Sequence, residues 1–211
     1  MIPTKLLLFS ALGMFSLVVA STASADQFLI NDGFEAGSFA PGWTVDSASP
    51  APFVTNTGTH SGGFGAFLGS PSGAETTGDS SIFSDLTAPL PAGALLSFWW
   101  SGVTIDTVTF DWQDAYVLSP TNAILATIMH VCMTTTGFQN VTFDLSPFQG
   151  QQIKIGFLVH GDAAGDWTSM IVDDVTIQAA VPEPGVTALG FVGASAVALS
   201  ALLRRKRRAT A

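Results

Sequence analysis

Positive charge is what this sequence lacks most. Its 211 residues hold seven Lys and Arg. Lys5 precedes the first apolar run and five more stand between Arg204 and Arg208, so Lys154 is the lone basic residue from Asp26 to Ala180. Fifteen of the sixteen Asp and Glu fall in that same stretch, which leaves it a charge of about −14. Nucleic acids are bound by clustered Lys and Arg that neutralise phosphates, and no such cluster can be built here. Anionic membrane surfaces repel such a domain for the same reason. The sign favours neutral ligands, divalent cations, or solubility outside the cell.

Sulfur is scarce too. Cys132 is the sole cysteine, so no internal disulfide can form. Its setting, Ile128-Met129-His130-Val131-Cys132-Met133, is apolar and indicates a buried, inert thiol. The patterns of common catalysts are missing: no His-Glu-x-x-His, no Gly-x-Ser-x-Gly, and no phosphate-loop or dinucleotide glycine pattern. The three histidines are scattered along the chain. A hydrolase built on paired carboxylates therefore ranks behind two non-catalytic readings, a surface or matrix protein and a glycan-binding or adhesive module.

The two ends are of a different kind. Lys5 stands before an apolar stretch from Leu6 to Ala20, and Ala23-Ser24-Ala25 is a small-x-small cleavage site. That is the plan of a secretory signal helix, residues 1–25, removed by signal peptidase. At the other end, Pro182 and Pro184 lack amide donors, so a helix cannot begin before Gly185. Val186 to Leu203 follows without a charge, and eighteen residues make roughly 27 Å of helix, close to one bilayer core. Arg204, Arg205, Lys206, Arg207 and Arg208 would hold that end on the cytoplasmic side.

Val181-Pro182-Glu183-Pro184, the single transmembrane helix and the basic end together resemble the PEP-CTERM sorting signal of Gram-negative bacteria. The resemblance covers residues 181–211: motif 181–185, helix 186–203, basic tail 204–211. It implies that an exosortase, an integral membrane enzyme, removes the tail from an inner-membrane intermediate. It also implies an exported product at the cell surface or outside the cell, linked to biofilm and exopolysaccharide.

The exported part, 26–180, reads as all-β. Ile153, Ile155, Phe157 and Val159 alternate with Lys154, Gly156, Leu158 and His160; Val141, Phe143 and Leu145 alternate likewise. Leu96, Phe98 and Trp100 share a face, as do Ile171, Val175 and Ile177. Period two between turn residues predicts antiparallel strands, with others at 43–46, 64–69, 81–85, 107–119 and 123–132. Eight to ten strands in this length suggest a two-sheet antiparallel β-sandwich. The order Asn31-Asp32-Gly33-Phe34-Glu35, Gly42-Trp43, His60 to Gly69, Phe138 to Ser146 and Val172-Asp173-Asp174-Val175 is similar to jelly-roll carbohydrate-binding, galactose-binding-like and MAM-like adhesion modules.

Three groups of residues attract attention. On a regular strand Asp173 shares parity with Ile171, Val175 and Ile177, which would bury its carboxylate. A buried carboxylate needs a partner, and without arginine the choices are backbone amides or a cation. The jelly-roll resemblance implies a structural Ca²⁺ between the first and last strands, held by Glu35 and Asp173. Asp162 and Asp166 lie in Gly161-Asp162-Ala163-Ala164-Gly165-Asp166, either a solvated turn or a cation loop without EF-hand spacing. Five tryptophans are many for this length. Trp43 belongs to the core, and Trp99, opposite in direction to Trp100, points outward as a candidate glycan contact.

Overall fold

Alternation of inward and outward side chains builds the central strands of this fold. The structure, a computed structural model, describes residues 28–71 and 75–179. The signal segment 1–25, the Pro-Glu-Pro motif, the span 186–203 and the basic end lie outside those residues. Among the described residues no helix is long and apolar enough to cross a membrane.

Among the described residues eleven strands run in the order β1 Phe28–Asp32, β2 Trp43–Ala48, β3 Phe53–Thr55, β4 Gly65–Gly69, β5 Gly78–Ser84, β6 Leu95–Thr104, β7 Trp112–Leu118, β8 Ile124–Val131, β9 Gln139–Asp144, β10 Lys154–Gly161 and β11 Thr168–Gln178. They form two antiparallel sheets. One has the order β3-β4-β11-β6-β9, with β1 also pairing β11; the other is β2-β5-β10-β7-β8. The architecture is the all-β, two-sheet antiparallel sandwich that the alternation indicates, and it agrees with the jelly-roll resemblance of the motif order.

Between the sheets lie the residues that alternation points inward. Leu96, Phe98 and Trp100 from β6 meet Ile155, Phe157 and Val159 from β10. Phe157 is wholly buried, with ring centroids 5.0 Å from Phe98 and 5.8 Å from Trp43. The Asn-Asp-Gly-Phe-Glu and Gly-Trp signals are explained here. Phe34 packs 5.4 Å from Trp43, and Asp32 accepts the Trp43 indole N–H at 2.7 Å and the Phe34 amide at 2.6 Å. A buried indole donor needs such a partner. Cys132 is half-buried, and its burial pushes the thiol pKa up, which keeps it a poor nucleophile.

Regular parity fails within β11. Ile171 and Asp173 do not face the core with Val175 and Ile177; Met170 and Val172 do. The ladder between β11 and β6 breaks register between Asp173 and Thr176, and Asp174 adopts a left-handed φ of 49°. This bulge adds one residue to β11 and reverses which residues point inward. Asp173 is paired with outward Trp99, yet it is wholly buried because another segment covers it. Two smaller departures concern boundaries. Residues 107–111 are a turn in which Thr107 C=O accepts the Phe110 and Asp111 amides, so β7 starts at Trp112. The edge strand β3 is only three residues long, too short to show a period.

Because Phe157 joins the aromatic clusters of both sheets, Phe157→Ala should lower unfolding stability by about 3–5 kcal/mol. Urea denaturation followed by tryptophan fluorescence measures this.

Candidate functional site

The chemistry-bearing side chains gather in three places, one on each outer sheet face and one at a loop end. The first is the outer face of β11 and β6. Here the segment His60–Phe64 folds over Asp173. The amides of His60 and Ser61 donate to Asp173 Oδ2 at 2.8 and 3.1 Å, and the Asp174 amide donates to Oδ1 at 2.7 Å. Asp174 accepts the Ser61 hydroxyl at 2.7 Å and lies 2.7 Å from His60 Nδ1. Glu35 takes the Gly63 and Phe64 amides at 3.0–3.1 Å. Gly62 makes this wrap possible: its φ is 57°, and a Cβ there would overlap the Glu35 carboxylate.

Burial still holds the Asp173 carboxyl above its usual range, with the Ser61, Asp174 and His60 amides opposing the rise. Glu35 and Asp173 therefore both serve as anchors of one loop. The Ca²⁺ expected at this pair would have to compete with five amide donors already aimed at the carboxylates.

Trp99 stands on this same face. It is half-buried, and the His60 imidazole lies on it at 4.0 Å with 12° between the planes. One indole face is thereby taken. Phe138 also meets His60, edge-on at 5.4 Å.

The second place is the outer face of the five-stranded sheet. Cross-strand register sets Trp112, His160 and Asp79 in one row across β7, β10 and β5. Trp112 and His160 stack at 4.0 Å and 8°, and His160 Nδ1 is 2.6 Å from Asp79 Oδ1. One pair further along, Asp114 faces His130 on β8, with Nδ1 to Oδ1 at 2.7 Å. Asp114 is wholly buried and also accepts the Tyr116 hydroxyl. Burial and the Asp114 charge push the phenol pKa up, so Tyr116 remains a neutral donor. Beside Tyr116 a hollow of about 140 Å³ opens, lined by Phe83, Leu118, Ile124 and Leu158 with Asp46 and Asn122 at hand.

Such a face carries aromatic rings together with fixed acceptors and donors, and its single cation is Lys154, held over the Phe83 ring at 4.2 Å. All three His–Asp pairs join residues at least sixteen positions apart, so no local motif announced them. A row of Trp112, Asp114 and Tyr116 at period two was the available signal.

The third place is the loop end where Asp162 and Asp166 lie. They come together with Glu75, a residue that the local sequence did not connect to them.

Among solved structures, the sandwich is similar to the K3 cleaved adhesin domain of Lys-gingipain from Porphyromonas gingivalis W83. The TM-score is 0.53 at 16% identity, over 74% of this chain and 100% of that one. The K1 cleaved adhesin domain of the same protein gives 0.51 at 16%, over 74% and 99%. TmCBM61, solved in complex with beta-1,4-galactotriose, gives 0.48 at 22%, over 69% and 92%. At these identities the likeness is one of fold. No protein-family model matches the chain, and no curated protein matches it.

Asp173→Ala leaves three amides without their acceptor in a closed site and should cost about 3 kcal/mol. Removing the exposed Glu35 carboxylate should cost a fraction of that. Chemical denaturation of Asp173→Ala and Glu35→Ala side by side measures the difference.

Proposed function

We propose that this chain is a non-enzymatic, exported protein of a Gram-negative cell surface or extracellular matrix, and that its sandwich binds neutral glycan on the outer face of the five-stranded sheet. The observation that carries the glycan reading is the joined row of Trp112, His160, Asp79, Asp114, His130 and Tyr116 beside the Tyr116 hollow. Sugar hydroxyls need donors and acceptors held in place, and sugar C–H faces need aromatic or aliphatic surface. Here the Tyr116 hydroxyl and the imidazoles are oriented by carboxylates, while Phe83 and Leu158 supply the apolar wall. A charge of about −14 disfavours anionic polymers and tolerates neutral ones.

Export and tail removal rest on the sequence of the two ends. The tail supports sorting by an exosortase at Val181-Pro182-Glu183-Pro184, with passage through an inner-membrane intermediate. Exopolysaccharide is the partner that joins the sorting reading to the sugar reading. Trp99 is a weaker contact than Tyr116, since His60 already occupies one face of its ring.

Affinity electrophoresis in gels cast with neutral polysaccharides tests the binding face. Wild type should be retarded by at least one polysaccharide; Tyr116→Ala should lose at least tenfold in affinity, and Trp99→Ala should retain it. Absence of retardation in every gel, or equal retardation of Tyr116→Ala, rejects the site. For sorting, Glu183→Ala expressed in a host with an exosortase should accumulate the unclipped chain in the inner membrane, as immunoblots of cell fractions would show.

A further inference from the structure

The β4–β5, β6–β7 and β10–β11 connections meet at one end of the sandwich and bring five carboxylates together. Ligand-type oxygens of Glu75, Asp162 and Asp166 lie within 4.8 Å of one another, and so do those of Asp106, Asp111 and Asp162. Asp162 belongs to both groups. Among the described residues no basic side chain balances them: Lys154 bonds Asn122 at 2.9 Å, and each histidine is paired with an aspartate outside the cluster.

Most of these carboxyls share one arrangement. One oxygen is fixed by a backbone amide: Gly165 N–H to Glu75 Oε2 at 2.8 Å, Thr107 N–H to Asp106 Oδ1 at 2.6 Å, Asp162 N–H to Asp111 Oδ1 at 3.0 Å. The other oxygen (Glu75 Oε1, Asp106 Oδ2, Asp111 Oδ2) is closed off from solvent with no donor, as is Asp166 Oδ1. Asp111 is the extreme case, a wholly buried side chain inside the cluster with a bare oxygen. The Thr168 hydroxyl beside it is engaged with Thr104 at 2.6 Å. Unpartnered buried oxygens are rare in folded proteins, and four of them at one place call for a common partner.

We propose that Glu75, Asp106, Asp111, Asp162 and Asp166 form a calcium site, with Asp111 as its buried ligand and Asp162 as the residue that links its two halves. An all-oxygen, multiply anionic donor set suits hard divalent cations and not zinc or copper. Six carboxylate oxygens without amide partners, offered by three loops, suit the variable, six-to-eight-fold coordination of Ca²⁺ better than the strict, water-rich octahedron of Mg²⁺. The amides on the opposite oxygens act as outer partners that aim the carboxylates. The site differs in kind from Glu35 and Asp173, where amides fill the acceptors, and it is independent of the glycan face.

Calorimetric titration of the full chain in detergent, stripped with chelator, should show calcium binding at about 0.1–1 mM, the range of extracellular modules. Saturating calcium should raise the melting temperature by about 5 °C or more, and Mg²⁺ should bind at least tenfold more weakly. Asp111→Asn keeps the acceptor for the Asp162 amide but not the charge. It should weaken calcium at least tenfold while melting no lower than wild type in chelator. Asp166→Asn, at the loop, should also weaken calcium at least tenfold, and gives the same reading if Asp111→Asn fails to fold. Asp173→Asn should bind calcium as wild type does. No calcium heat with wild type overturns the site. So does an unchanged response in both cluster variants, or a loss confined to Asp173→Asn.

Discussion

A domain with one lysine has to settle fifteen carboxylates without salt bridges to Lys or Arg, and that constraint shapes most of its polar contacts. Backbone amides do the largest share: Asp173 takes three and Glu35 takes the Gly63 and Phe64 amides. Imidazoles serve Asp79, Asp114 and Asp174, and the Trp43 indole serves Asp32. Amide donors are fixed by the chain path, so each such carboxylate also pins a loop. In this way a shortage of positive side chains becomes a source of loop order. The cost falls where amides are too few, at the Glu75–Asp111–Asp166 end.

The two outer faces answer the same constraint differently. On the six-stranded sheet the His60 segment closes over Asp173 and occupies a face of Trp99. On the five-stranded sheet Asp114 is bonded to side chains of the sheet itself, Tyr116 and His130, and the hollow beside Tyr116 is open to solvent. Openness with oriented polar groups suits recognition; closure with amide anchors suits stability. Fold alone does not separate the two, because similar sandwiches serve many ends.

What was legible in the sequence follows from how local each signal is. Ile155, Phe157 and Val159 sit on a regular strand, and their alternation alone marks the core. Trp43 and Glu35 belonged to a compact motif, and both take structural positions within it. The partners of the histidines were not legible, since His60 meets an aspartate more than a hundred residues away. Glu75 was equally hidden from Asp162. Parity misplaced Asp173 because a period-two argument assumes an unbroken ladder, and β11 breaks it at the one residue with left-handed backbone.

That extra residue limits how the length of β11 can vary. Asp174 is a single-codon insertion that exchanges even for odd numbers on the inward side of β11, while both halves keep their apolar side chains toward the core. Deleting it would close the ladder into unbroken pairing, with Val175 opposite Phe98 and still inward, but would remove the carboxylate that holds Ser61 and His60 over Asp173. Gene-level gains and losses should therefore be absorbed by the connecting loops and shunned at this point.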